Sequence, residues 1–228
     1  MDPVRVVSEV PAVGPVTAGE RNLPVLGPLA PLLPEGSLVR GRSVLCGGLA
    51  GPSLALALVA GACRAGSWLA VLDLPWLGVE AAVELGVPAE RFVRVDSTHG
   101  RDGDERGEAW GEVLAAVLDG FELVLTRVPS RAPAGLVRRL QMRLRNRGGV
   151  LVVVGDPGPL SADVACSATG LRWEGAGPGH GCLRSRRITV ESVGRRVHRP
   201  LSNDLWLPAP DGGAAVAVAE PLPLHRVG

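Results

Sequence analysis

Strand-length apolar runs alternate with helix-length segments along the middle of this chain, and that alternation constrains the fold more than any other feature. Residues 67–72 (SWLAVL), 121–128 (FELVLTRV) and 149–155 (GVLVVVG) are almost continuously apolar. A strand with one wet face alternates, so runs of this kind need cover on both faces. Helical segments lie between them at 53–64 (SLALALVAGACR), 77–85 (LGVEAAVEL), 108–118 (EAWGEVLAAVL) and 133–147. Two short strands, 43–46 and 92–95, complete the series. The order predicts an α/β domain whose mainly parallel sheet is flanked by helices.

The texture changes on either side of this unit. Residues 1–36 are rich in Pro and Gly, although 23–34 (LPVLGPLAPLLP) is apolar enough to pack along a domain surface. Beyond Pro159, residues 163–172 and 182–193 mix polar and apolar positions around the loop 174–181. They predict an antiparallel hairpin at one edge of the sheet. From Arg195 the chain turns Pro- and Gly-rich again, and 195–228 reads as a partly ordered tail that could bind a partner. The expected organisation is a core over 37–194 between an N-terminal segment and that tail.

Hydrophobic residues make up 46% of the 228, enough for one sizeable core. A net charge of +1 excludes a protein that coats nucleic acid by bulk electrostatics. The chain has no lysine, so all 24 Lys and Arg residues are arginine. Schiff-base, general-base and phosphate-loop lysines are therefore excluded, and arginine surplus alone carries little information about partners. Cys46, Cys63, Cys166 and Cys182 form no close pair, and His99, His180, His198 and His225 are scattered. Neither a zinc site nor a Ser–His–Asp or Cys–His arrangement follows. The expectation is buried free thiols in a reducing cytosol, with no metal and no cofactor. No basic-then-apolar leader opens the chain. The charge-free stretch 43–63 is broken by Gly47, Gly48 and Gly51-Pro52, which assigns it to the core rather than to a membrane.

Strand, glycine turn and helix at 43–64 have the layout of a phosphate-binding loop, in which backbone N–H groups and a helix N-terminus hold the anion. Laid on Cys46–Ser53, the pattern G-x-x-x-x-G-K-[ST] reads C-G-G-L-A-G-P-S. Gly51 and Ser53 match, but Cys46 replaces the first glycine and Pro52 the lysine. Proline also removes a donor N–H. Gly47, Gly48, Gly51 and Ser53 are thus either a nucleotide-binding remnant or a tight packing turn, and the missing lysine favours the turn.

The order strand, glycine turn, helix, then SWLAVLDLPWLGVEAAVELGVPAERFVRVDS resembles the RecA-type ATPase core. The resemblance runs from about Leu23 to Val193. Within it, LPVLGPLAPLLPEGSLVRG, AGSWLAVLDLPWLG and GLRWEGAGPGHGCLRSRRITVE are most similar to the actinobacterial ImuA-type accessory proteins of the SOS mutagenesis cassette. This implies a RecA-like, P-loop-type core and a cytoplasmic, nucleoid-associated role in DNA-damage-induced mutagenic translesion synthesis. The implied partners are an inactive Y-family polymerase homologue (ImuB-type) and, indirectly, an error-prone C-family polymerase and the sliding clamp. The departures from the RecA pattern imply that it is not an enzyme. Pro75, after Asp73-Leu74, stands where the water-orienting glutamate belongs, and the strand FELVLTRV ends in Thr126 and Arg127 rather than a magnesium-binding aspartate.

Two arginine clusters are candidate contacts for a partner or, weakly, for DNA. Arg138, Arg139, Arg143, Arg145 and Arg147 lie on the helix that carries Leu136, Leu140 and Leu144 four apart. The helix could meet phosphates or simply be a solvated face. Arg184, Arg186, Arg187, Arg195, Arg196 and Arg199 lie on the hairpin and its exit, without interleaved aromatics for base stacking. Trp68 and Trp110 are expected in the core, Trp76 near the turn after Pro75, and Trp206 in LWLPAP as a partner anchor or a fold-back contact. The alternatives to an adaptor are a DNA-binding or RecA-filament regulator and an ATPase with an unconventional site.

Overall fold

A computed structural model of the chain describes residues 21–97, 105–177 and 180–217. The first elements are a small antiparallel pair, β1 (Asn22–Leu23) and β2 (Leu38–Val39), which brackets a 3-10 helix at Gly27–Leu32. Then come β3 (Ser43–Gly48), α1 (Gly51–Arg64), β4 (Leu69–Leu72), α2 (Val79–Glu84) and β5 (Phe92–Val95). They are followed by α3 (Glu105–Gly120), β6 (Leu123–Thr126), α4 (Ala134–Arg147) and β7 (Val150–Val154). The last part is all strand: β8 (Val164–Gly177), β9 (His180–Val193), β10 (Leu201–Trp206) and β11 (Ala215–Val216).

One nine-stranded sheet runs β11-β10-β9-β8-β3-β7-β6-β4-β5. From β8 to β5 every neighbouring pair is parallel, and from β8 to β11 every pair is antiparallel. The apolar runs are the central strands: β4, β6 and β7 are buried at every position. Burial on both sides is the physical reason that they do not alternate.

One face is covered by α1, α2 and the 3-10 helix, the other by α3 and α4. Helix α1 is buried nearly all round because the N-terminal segment crosses its outer side. Gly61 permits that crossing, since a Cβ there would lie 2.5 Å from the carbonyl carbon of Val25. Leu29 and Leu32 are fully buried, and Asn203 Nδ2 donates to Pro28 O at 2.9 Å, tying the segment to β10. The apolar stretch 23–34 therefore packs along the domain surface as its composition suggests.

The C-terminal expectations need correction. The hairpin strands run on through most of the expected loop 174–181, pairing Glu174 with Ser185 and Gly177 with His180. The hairpin is not the edge of the sheet, because β10 and β11 lie outside it. The expected tail 195–228 thus supplies two strands, with Leu205 and Leu207 fully buried. The flanking Pro200 and Pro208 mask the strand by composition, while Leu201, Asn203 and Leu205 keep the period of two on the covered face. Among the described residues no helix is long and apolar enough to cross a membrane.

Candidate functional site

Ligands of open α/β sheets sit at the carboxyl ends of the parallel strands, so the turn after β3 is the first place to look. Only Leu49 and Ala50 separate β3 from α1. Gly47 and Gly48, which would curl round a phosphate, instead continue the strand and pair with Ser167 and Ala168 of β8. Gly48 has φ +76°, and a Cβ on it would lie 2.2 Å from Ala168 O. A Cβ on Gly51 would lie 2.8 Å from Cys46 O. Both glycines serve close backbone packing. Pro52 and Ser53 follow in the first turn of α1, half-buried.

The other candidate positions on this edge have local partners. Thr126, at the end of β6, is fully buried and its Oγ1 accepts the Trp110 indole N–H at 3.1 Å. Asp73 adopts φ 55° after β4, and its carboxylate accepts the Ser97 backbone N–H at 2.7 Å and the Ser97 hydroxyl. It thereby ties the end of β4 to the chain after β5. The same edge carries exposed apolar side chains, Leu49 after β3 at 77% and Trp76 after β4 at 53%. Leu49 went unnoticed in the sequence because it lies inside the motif frame. Among the described residues, no three His, Cys, Asp or Glu side chains gather to hold a metal ion.

The arginines divide into committed and uncommitted groups. Arg186 is a correction: it is buried, not presented to a partner. It shares a sheet face with Ile188 and Val190, and that period of two was legible. Its Nε donates to Leu207 O at 2.8 Å, and its guanidinium lies 5.0 Å from the Trp173 ring centroid. Burial lowers its affinity for the proton. Arg187 faces the opposite way and pairs with Asp204 at 3.2 Å. A hydrogen bond from Thr189, with help from Arg187, holds the Asp204 carboxyl below its ordinary range. On α4, Arg143 and Arg147 both hold Asp119, and the Arg143 hydrogen bond holds that carboxyl low. Arg138, Arg139 and Arg184 are exposed.

Trp206 is half-buried in β10, in register with Arg187, on the side of the antiparallel strands that α3 and α4 do not cover. Trp110 is in the core as expected, whereas Trp68 is only half-buried beneath Arg91, 5.1 Å from its ring centroid. Cys46, Cys63 and Cys166 are buried, but Cys182 is exposed on the hairpin. His99 and His225 lie outside the described residues.

Residues 31–159 match the family model described as MT3502 N-terminal domain. The chain belongs to that family. The match takes in β2 through β7 with α1–α4, and ends before the hairpin. The chain is also 29% identical over 196 residues to the uncharacterized protein Rv3395c of Mycobacterium tuberculosis, covering 83% of this chain and 87% of that protein. That alignment is longer than the MT3502 match and therefore takes in more than the family's domain.

Proposed function

We propose that this MT3502-family chain is a non-catalytic RecA-like adaptor in SOS-induced mutagenic translesion synthesis. It binds an ImuB-type polymerase homologue and through it helps to recruit an error-prone C-family polymerase. The observation that carries the reading is the state of the carboxyl edge. A nucleotide hydrolase concentrates a lysine, a carboxylate and open backbone donors there. In this chain proline takes the lysine's place, and a buried hydroxyl bonded to an indole takes the carboxylate's. The glycine turn is closed against Ala168 and Cys46.

Exposed Leu49 and Trp76 then supply what a docking surface uses, an apolar centre with an aromatic anchor. Trp206, on the uncovered sheet face, is the second candidate anchor. The test is co-purification of the full chain with the ImuB-type partner, using point variants. Truncation before β10 is unsuitable because it removes buried Leu205 and Leu207. Leu49→Asp with Trp76→Ala weakens the complex at least about tenfold, the scale of a lost hot spot. Unchanged binding in that variant but loss in Trp206→Ala moves the interface to the sheet face. No complex with the wild-type chain, or micromolar binding and hydrolysis of magnesium ATP in calorimetry, overturns the adaptor reading.

A further inference from the structure

The opposite edge of the sheet carries a different chemistry. At the amino ends of the parallel strands lies a cleft of about 1020 Å³. Five arginines line it, Arg40, Arg42, Arg145, Arg195 and Arg196, with His198, against the two carboxylates Glu35 and Asp163. They come from the turn before β3, the end of α4, the link before β8 and the connection after β9. One arginine of the α4 cluster, Arg145, and two from the exit of the hairpin, Arg195 and Arg196, thus meet here with the basic turn Arg40-Gly41-Arg42.

The meeting depends on two close backbone approaches. Gly41 has φ +78°, and a Cβ on it would lie 3.2 Å from the Arg145 Cα. A Cβ on Gly194 would lie 2.3 Å from Asp163 O. Larger residues would push the turn off α4 and the exit of β9 off the link before β8. The carboxylates are already occupied. Glu35 pairs with Arg42, and Asp163 accepts the Ser43 N–H at 3.0 Å and its hydroxyl at 3.3 Å. Arg40 pairs with Glu122 outside the cleft. Arg145, Arg195 and Arg196 are exposed and have no hydrogen-bond or ion-pair partner among the described residues.

We propose that this cleft binds the phosphodiester backbone of a single nucleic-acid strand. Arginine forks match phosphate oxygens. Among the described residues that line the cleft there is no Phe, Tyr or Trp to stack bases, and Pro34 is the one apolar side chain of the kind with which pockets bury small molecules. Recognition is therefore of backbone, without sequence preference. The whole chain carries a net charge of only +1, so the binding depends on this local convergence rather than on bulk charge. The site lies a strand's length from the carboxyl edge and does not rest on the adaptor reading. Loss of strand binding with the partner complex intact, and the reverse, are separate results.

The experiment is fluorescence anisotropy of the full chain with a labelled oligothymidylate, an oligouridylate of equal length, and a DNA duplex, across a salt series. Both single strands bind more tightly than the duplex. With three uncommitted arginines, log K falls against log salt with a slope of about −2. Arg195→Ala with Arg196→Ala weakens binding at least about tenfold and cuts that slope toward −0.7, the value for about one contact. Arg145→Ala gives a smaller loss of the same kind. Arg138→Ala with Arg139→Ala, on the outer side of α4, leaves both quantities unchanged. Equal binding by the Arg195/Arg196 variant, or no binding by the wild-type chain at about 50 mM salt, overturns the proposal. So does tighter binding of polyglutamate than of either strand, which would make the cleft a dock for an acidic protein surface.

Discussion

Raising the pH titrates the interior of this chain in an unusually isolated way. Three thiols are buried, and desolvation is the first cause of each shift: Cys63 is pushed up to about 12, Cys166 to about 11, and Cys46 well above its ordinary value. In the unfolded chain the same thiols release their protons near pH 8.5. The sign follows from which state holds more protons. Below about pH 8.5 both states keep all three, and the stabilisation is fully present. Above it the unfolded chain loses protons that the folded chain retains, so stability falls until the folded values are reached. Each thiol contributes a slope of about −1.4 kcal/mol per pH unit, and three together about −4. Against a domain stability of roughly 5–15 kcal/mol, that brings unfolding within about one to four units of pH 8.5. Lysine and tyrosine, which would otherwise titrate in this window, are absent from the sequence. Urea unfolding from pH 8 to 10.5, monitored by tryptophan fluorescence, reads the slope directly. Cys63→Ala flattens it by about one thiol's share. A midpoint that does not move over that range, or a Cys63→Ala slope equal to the wild type's, refutes the assignment.

Three further outcomes follow from particular contacts. A disulfide-exchange reagent at pH 8 modifies one thiol per native chain, Cys182, and all four in denaturant, since the other three are buried; rapid native modification of more than one contradicts the packing. Gly61→Ala gains up to about 1 kcal/mol of helix propensity but drives a methyl into the Val25 backbone. It therefore lowers stability by a net ~1–2 kcal/mol in urea titrations, whereas propensity alone predicts the opposite sign. Asp119→Asn removes the exposed pairs to Arg143 and Arg147 and costs under about 1 kcal/mol at pH 7. Because the folded carboxyl is held low, that cost begins to fade as the pH falls below about 4, where the unfolded aspartate takes up its proton, and is gone once the pH is below the lowered folded value.

The parallel half of the fold was legible because its signal is physical and local: strands buried on both faces cannot alternate, and β4, β6 and β7 do not. The carboxyl edge was legible by substitution, since Pro52 and Thr126 are visible without coordinates. Two kinds of feature were not. The role of Asn203 depends on Pro28, 175 positions away, and no pattern within either segment announces that contact. β10 was hidden for a different reason, because prolines on both sides outweighed a six-residue alternation. The burial of Arg186 was legible, because its period of two with Ile188 and Val190 fixes which sheet face it shares whatever its charge. The basic cleft falls in the first category: Arg42, Arg145 and Arg195 are distant in sequence, and only two glycine close approaches bring them together.

The two edges of the sheet can be assayed as independent sites, and β3 is the element that separates them. Its six residues, at about 3.3 Å each, put about 20 Å between Ser43 beside the cleft and the exposed Leu49 turn. Substitutions farther apart than about 10 Å and without a shared partner add within about 0.5 kcal/mol. Leu49→Asp should therefore weaken only the protein complex, and Arg195→Ala with Arg196→Ala only the strand complex. The combined variant should show each loss unchanged. An adaptor needs this independence, since it holds two ligands at once without either displacing the other. Coupling above about 1 kcal/mol would instead require β3 or α1 to have two arrangements. The burial of α1 on nearly every side, with Val25 pressed against Gly61, leaves no room for a second position. A measured coupling of that size would therefore refute both the rigidity of this packing and the separation of the two sites.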